Sequence, residues 1–158
     1  MNYIIREMKN SEYYLLEDFL YTAIYIPKGA DAPLKNIIKS PELWVYVRDF
    51  GKSKHDMAIV AEINGNIEGA IWSRIMNDYG HIDDKTPSLA MAVNKEFREN
   101  GIGTELLKNM LVSLKAKDYP KVSLSVQKAN YAVNMYKKAG FVIVKENKEE
   151  YIMAALLS

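Results

Sequence analysis

No cysteine occurs among the 158 residues. That absence excludes disulfides, thiolate metal sites and a cysteine nucleophile, and it fits a reducing cytoplasm. Histidine is almost as scarce: only His55 and His81 are present, and neither has the partner spacing of a metal site. No charge sign dominates, because 21 Lys plus Arg face 20 Asp plus Glu for a formal net charge of +1. A global field that would draw in nucleic acid or an anionic membrane is therefore missing, and any anion site must be local. No apolar run approaches the roughly 18 residues of a membrane span. The opening Met1-Asn2-Tyr3-Ile4-Ile5-Arg6-Glu7 turns charged and polar too soon for a signal peptide. A cytoplasmic chain with no metal is expected.

What the chain has is an ordinary globular composition, 49% apolar and 26% charged, and a length that suits one core and is short for two. Residues 1–158 are read as a single domain. Segments alternate in type without a repeat. Tyr3 to Glu7 reads as a short strand, and Ser11 is placed to cap a helix through Ile24. Pro27, Gly29 and Pro33 break the chain before a second helical region between Leu34 and Val47, which Pro41 must start or divide. Met57 to Ile63 and Ile67 to Met76 are β-like runs joined by Asn64-Gly65-Asn66, a hairpin signal. The polar loop Asn77 to Pro87 precedes a strand Ser88 to Val93.

Ile102, Leu106, Leu107, Met110, Leu111 and Leu114 recur at helical spacing until Tyr119-Pro120. Val122, Leu124 and Val126 alternate with Ser123, Ser125 and Gln127 as in a half-exposed strand. Asn130 is placed to cap a helix that Gly140 ends, and Phe141 to Val144 and Tyr151 to Leu156 close the chain as strands. This order predicts an α/β domain with one mixed, largely antiparallel sheet and helices on both faces.

The segment Phe97-Arg98-Glu99-Asn100-Gly101-Ile102-Gly103-Thr104 sets an arginine and two glycines at a strand-to-helix junction. A helix N-terminus offers unpaired N–H groups and partial positive charge, so a phosphorylated ligand is the natural occupant. It is not a P-loop, since Gly103 is followed by Thr104-Glu105 in place of Lys-Ser/Thr. Nor is it a dinucleotide fingerprint, whose third glycine would fall at Leu106.

The remaining Arg-x-x-Gly-x-Gly pattern resembles that of the GCN5-related N-acetyltransferase (GNAT) family. So does Asn130-Tyr131-Ala132-Val133-Asn134-Met135-Tyr136-Lys137-Lys138-Ala139-Gly140-Phe141, which is similar to that family's Asn…Tyr…Gly-Phe segment. The resemblance implies an acyl-CoA N-acyltransferase fold, acetyl-CoA as co-substrate, an amine acceptor and a splay between the strands ending near Val93 and starting near Val122. It places the pantetheine along Met91, Ala92 and Val93, with a Val93-side backbone N–H facing the thioester oxygen. It places the pyrophosphate at Arg98, Glu99, Asn100, Gly101, Ile102, Gly103 and Thr104, with Asn130 and Tyr136 completing the cofactor site. It also allows a homodimer.

Without a cysteine, direct attack by the acceptor amine is the economical route, and Tyr136 is the implied proton donor to the leaving thiolate. Tyr131 is the neighbouring alternative. The general base stays open among Asp83, Asp84, Glu62, Glu68, Glu96 and His81. Tyr21 to Pro33 and Asn77 to Pro87 are expected to receive the acceptor, with Tyr25, Trp72 and Tyr79 as walls. A protein N-terminus, a lysine, a polyamine, an aminoglycoside or another small amine all fit. A non-catalytic acyl-CoA sensor is the rival reading.

Overall fold

The computed structural model describes residues 2–157. Seven strands form one sheet in the order β1-β2-β3-β4-β5-β7-β6. These are β1 (Ile4–Glu7), β2 (Met57–Ile63), β3 (Asn66–Arg74), β4 (Ser88–Val93), β5 (Lys121–Gln127), β6 (Val142–Glu146) and β7 (Glu150–Leu156). Every pairing is antiparallel except that of β4 with β5. The β2–β3 hairpin turns at Asn64 and Gly65, both with positive φ, as the Asn-Gly pair predicts.

The helices fall on opposite faces. On one lie α1 (Leu16–Ala23) and the short α2 (Pro41–Trp44), packed on Val60, Ala70, Trp72 and Ala92. On the other lie α3 (Ile102–Ala116) and α4 (Ala132–Lys138), packed on Ile59, Ile71, Leu89, Val122, Leu124 and Val126. The alternation of strand side chains sorts the two cores: Leu89 and Met91 of β4 face α3, while Ala90 and Ala92 face α1.

Several boundaries differ from expectation. The first helix opens as a 3-10 turn, Asn10–Leu15, and Ser11 does not cap it. Glu12 does that work, because its carboxylate accepts the Lys9 N–H at 2.8 Å while also binding Arg6. The region from Leu34 to Val47 is divided, as Pro41 requires, into a 3-10 turn at Lys35–Lys39 and α2 with proline in its first turn. The sixth strand begins one residue later than expected and runs on to Glu146. The third ends at Arg74 and not at Met76, because its partners run out there: β2 begins at Met57 opposite Ser73, and β4 begins at Ser88 opposite Arg74.

Candidate active site

The site is built on an interruption of the sheet. Strands β4 and β5 share a single rung, Ser88 with Ser123, where the Ser123 N–H donates to Pro87 O at 3.0 Å. Beyond it the two strands diverge. Pro87 O points toward β5, and six residues on from Ser88 the Asn94 N–H donates to Glu68 O at 2.8 Å on the β3 side. Backbone groups of alternate residues share a strand edge, so the N–H and C=O of Leu89, Met91 and Val93 face the gap. One of these carbonyls is used: Arg98 Nε donates to Val93 O at 2.9 Å.

The gap opens a cleft of about 260 Å³ that passes through the sheet. From the α4 side Tyr136 and Asn130 line it. From β4 come Leu89, Ala90 and Met91, and from β5 and β7 come Ser125, Gln127 and Glu150. Tyr25, Tyr46 and Tyr79 wall it on the α1 side. Asn130 holds its place by accepting the Ala132 N–H at 2.9 Å, which secures the start of α4 as its position predicts. A larger groove of about 700 Å³ lies over β5, β7 and β6, lined by Val142, Val144 and Leu156. It carries His81, Lys121 and Lys145 but does not include Tyr136 or the β4 edge.

Tyr136 is 7% exposed and packs edge-on against Phe141. Burial pushes its phenol up to about 12, with no charged neighbour to offset the effect. The group therefore stays protonated throughout the neutral range. Tyr131, by contrast, is 71% exposed and is absent from the cleft wall.

The glycine turn lies past the end of β4. Glu99 and Gly101 both adopt left-handed backbone, at φ 65° and 80°, and Gly101 precedes the first residue of α3. Such a turn directs the N–H groups of Ile102, Gly103 and Thr104 outward, since a first helical turn has no internal acceptors for them. The Ile102 side chain is fully in the core, leaving only its backbone for a ligand. The Asn100 side chain is committed inside the turn, donating to Phe97 O and Arg98 O. Gly103 serves packing too, because an added Cβ there would lie 3.6 Å from Met91 Cε and 3.7 Å from Met135 Sδ.

None of the expected general bases lines the cleft. Glu62 pairs with Arg6, and Glu68 accepts from Asn94. Asp83 pairs with Lys121 at 3.3 Å and accepts the Lys85 N–H at 2.9 Å. His81 is tied within its own loop, with Nδ1 at 2.9 Å from Met76 O and Nε2 at 3.2 Å from Asp84. Trp72 is no wall either: it is wholly buried, and its Nε1 donates to Tyr46 O at 3.0 Å.

Tyr46, Ser125, Gln127 and Glu150 also line the cleft, and none of them carries a motif in the sequence. Only the serine alternation on β5 hinted at a polar face. Gly80 explains how the loop comes to the cleft, since a Cβ there would meet the β5 backbone at 2.8 Å and Ser123 Oγ donates to Gly80 O at 2.7 Å. The chain can approach that closely only without a side chain.

Comparison with known proteins agrees with this geometry. Residues 24–154 match the family model described as an acetyltransferase (GNAT) domain. An N-alpha-acetyltransferase of Sulfolobus acidocaldarius is 31% identical over 127 residues, 71% of this chain and 73% of the relative. One from Sulfurisphaera tokodaii is 33% identical over 113 residues, 62% of this chain and 68% of the relative. The fold superposes on a crystal structure of the PaiA N-acetyltransferase of Thermoplasma acidophilum in complex with coenzyme A. The TM-score is 0.72, at 17% identity over 99% of both chains. A parallel pair that splays after one rung, a glycine turn leading into α3 and a family match spanning both lead to one conclusion: the chain belongs to the GNAT acetyltransferase family.

Proposed function

We propose that the protein transfers the acetyl group of acetyl-CoA directly to a primary amine, with a peptide α-amine as the acceptor. The observation that carries this is the opening through the sheet, which has a protonated tyrosine on one side and a tyrosine- and carboxylate-lined mouth on the other. A chain of amides such as pantetheine fits the edge of β4, where Leu89, Met91 and Val93 turn their backbone groups outward. The N–H groups of Ile102, Gly103 and Thr104, with Arg98 nearby, suit a pyrophosphate. Acetyl-CoA supplies an activated thioester. This chain's residues bind it, offer a β4 N–H to the carbonyl oxygen and hold a proton at Tyr136 Oη for the departing sulfur. The acceptor class rests on the relatives of about one-third identity named N-alpha-acetyltransferases.

The test is isothermal titration with acetyl-CoA, followed by thiol release across peptides with free or blocked N-termini, lysine, polyamines and aminoglycosides. Binding with turnover of free-N-terminal peptides is the expected result. Turnover confined to other amines would overturn the acceptor class. Binding without thiol release on any amine would replace the enzyme with an acyl-CoA sensor.

Gly103→Val gives a second check. Its Cβ is accommodated between Met91 and Met135, but the two further methyls must displace Met91 or cover the outward N–H groups. Hydrogen bonds to charged groups contribute about 1.5–3 kcal/mol each, so losing one should weaken acetyl-CoA binding by on the order of 10–100-fold. Gly103→Ala should bind much closer to wild type. Equal affinities of the valine variant and the wild type by calorimetry would remove the phosphate from this turn.

A further inference from the structure

Behind the α1-side wall of the cleft lies a polar cluster that the described chemistry does not use. Asp78, in the loop that Gly80 pins to β5, accepts Ser88 Oγ–H at Oδ1 at 2.8 Å. Its Oδ2 is shielded from solvent, and among the described residues no donor meets it at ordinary hydrogen-bond geometry, the nearest groups being the Tyr46 hydroxyl and the Gly80 backbone. The Tyr46 hydroxyl sits beside that carboxylate and beside Ser125. Tyr46 and Ser125 both line the cleft, whereas Asp78 stands behind them. The cluster sits next to the Ser88–Ser123 rung, at the apex of the splay. Tyr46 belongs to the core under α1 and Tyr136 to the core under α3, so the two hydroxyls approach the cleft from opposite faces of the sheet.

A carboxylate buried among hydroxyls with no cation beside it is costly to keep unless something uses it. Acetyl transfer has a use for it: an acceptor amine must shed one proton while the thiolate gains one. Tyr136 accounts for the second transfer only. We propose that Asp78, acting through the Tyr46 hydroxyl, is the positioning residue that takes up the proton lost by the acceptor amine. This rests on the acetyltransferase reading above. In the balanced step the amine nitrogen forms a bond to the acetyl carbonyl carbon and the carbon–sulfur bond breaks. The nitrogen's proton passes to Tyr46 Oη as the phenolic proton passes to Asp78, and the sulfur takes its proton from Tyr136.

The charged and titratable groups around the relay are few. Glu150 of β7 acts on Tyr46 and on the exposed Tyr79, Glu42 acts on Tyr79, and His81 turns its ring to Met76 O and Asp84. Among the described residues no cation offsets the burial of Asp78, and its carboxyl is raised above the ordinary range, chiefly by desolvation. For such a group stability is greatest when it is protonated and is lost as pH rises through its folded pKa. Asp78→Asn keeps an acceptor for Ser88 and removes the buried charge, so it should be no less stable than wild type at pH 8.

The test uses Asp78→Asn, Tyr46→Phe and Glu150→Gln in the full chain, with the amine found most active for wild type. Asp78→Asn is expected to lower kcat/KM by on the order of 10²-fold with acetyl-CoA affinity unchanged. At low pH the wild-type log kcat/KM should fall with a slope of two, one proton for the amine and one for Asp78. In Asp78→Asn the slope should be one. Tyr46→Phe keeps the carbonyl that accepts from Trp72 and should show the same loss. Difference infrared spectra of the free protein should show a protonated-carboxyl band that titrates in wild type and is missing from Asp78→Asn. An unchanged slope in Asp78→Asn, or loss of the second proton in Glu150→Gln alone, would overturn the relay. Failure of wild type itself to release thiol would instead overturn the acetyltransferase reading.

Discussion

Tyr136→Phe is expected to lower the single-turnover rate of acetyl transfer by about 10²–10⁴-fold while leaving acetyl-CoA affinity nearly unchanged. The substitution keeps the ring, its edge contact with Phe141 and its place in the core, and removes one oxygen. That oxygen matters because a thiolate leaving into a cleft formed within the sheet needs a proton there. The raised phenol keeps its proton well into the alkaline range, so wild type should show no alkaline loss of rate from this group near pH 9. Folding stability supplies an independent reading. A phenol at about 12 in the fold and roughly 10 unfolded contributes stability that is full below pH 10 and lost between the two values. The phenylalanine variant should not show that loss. Rapid-quench measurement decides the matter: an unchanged chemical rate would reduce Tyr136 to packing, and lost binding in a folded variant would tie its hydroxyl to the cofactor.

Arg74→Leu is expected to cost about 3–5 kcal/mol of stability, because it strands a buried partner. Arg74 and Asp56 have side chains only 10% and 1% exposed, and they meet through two bonds, Nε to Oδ1 at 3.1 Å and Nη2 to Oδ2 at 3.0 Å. The remaining Nη1 donates to Arg48 O at 2.8 Å and Val45 O at 3.2 Å, tying the segment that carries Tyr46 to the end of β3. Removing the guanidinium leaves two carbonyls without this donor and a buried carboxylate held only by the Gly51 and Ser53 N–H groups, with no counter-charge. Urea unfolding should show the midpoint falling with the slope unchanged. The double variant Arg74→Leu with Asp56→Leu should recover part of the loss, since it removes both charges. A loss below about 1 kcal/mol would class the pair with exposed ion pairs, which contribute little.

Much of this fold is legible without coordinates. The Asn-Gly hairpin, the apolar periodicity of α3 and the alternation along β5 are local patterns whose period states the element. The glycine turn and the Asn…Tyr…Gly-Phe segment are likewise local, and of the residues that the resemblance singles out Met91, Asn130 and Tyr136 stand on the cleft wall. The failures are of two kinds. Element ends differ where a distant segment intervenes, as when Glu12 in place of Ser11 satisfies the first turn, or when β3 ends where its partners β2 and β4 begin.

The general base differs for another reason. By residue type the sequence leaves Asp83, Asp84, Glu62, Glu68, Glu96 and His81 open, and none of them lines the cleft. Asp78, five residues before Asp83, is the carboxylate that reaches the apex of the splay. Type and spacing fix which chemistry a side chain can perform. Its protonation and reach depend on what covers it, and here that cover is Tyr46 from one segment, Ser88 from β4 and the β5 backbone against Gly80. Those groups lie up to 47 residues from Asp78 along the chain, Ser125 being the farthest. The sequence by itself determined most of the elements, the glycine turn at the start of α3 and the place of Tyr136 in the Asn…Tyr…Gly-Phe segment, because each is written in contiguous residues. Only the tertiary structure decided which carboxylate is shielded and which is solvated, because burial is a property of segments that meet after folding.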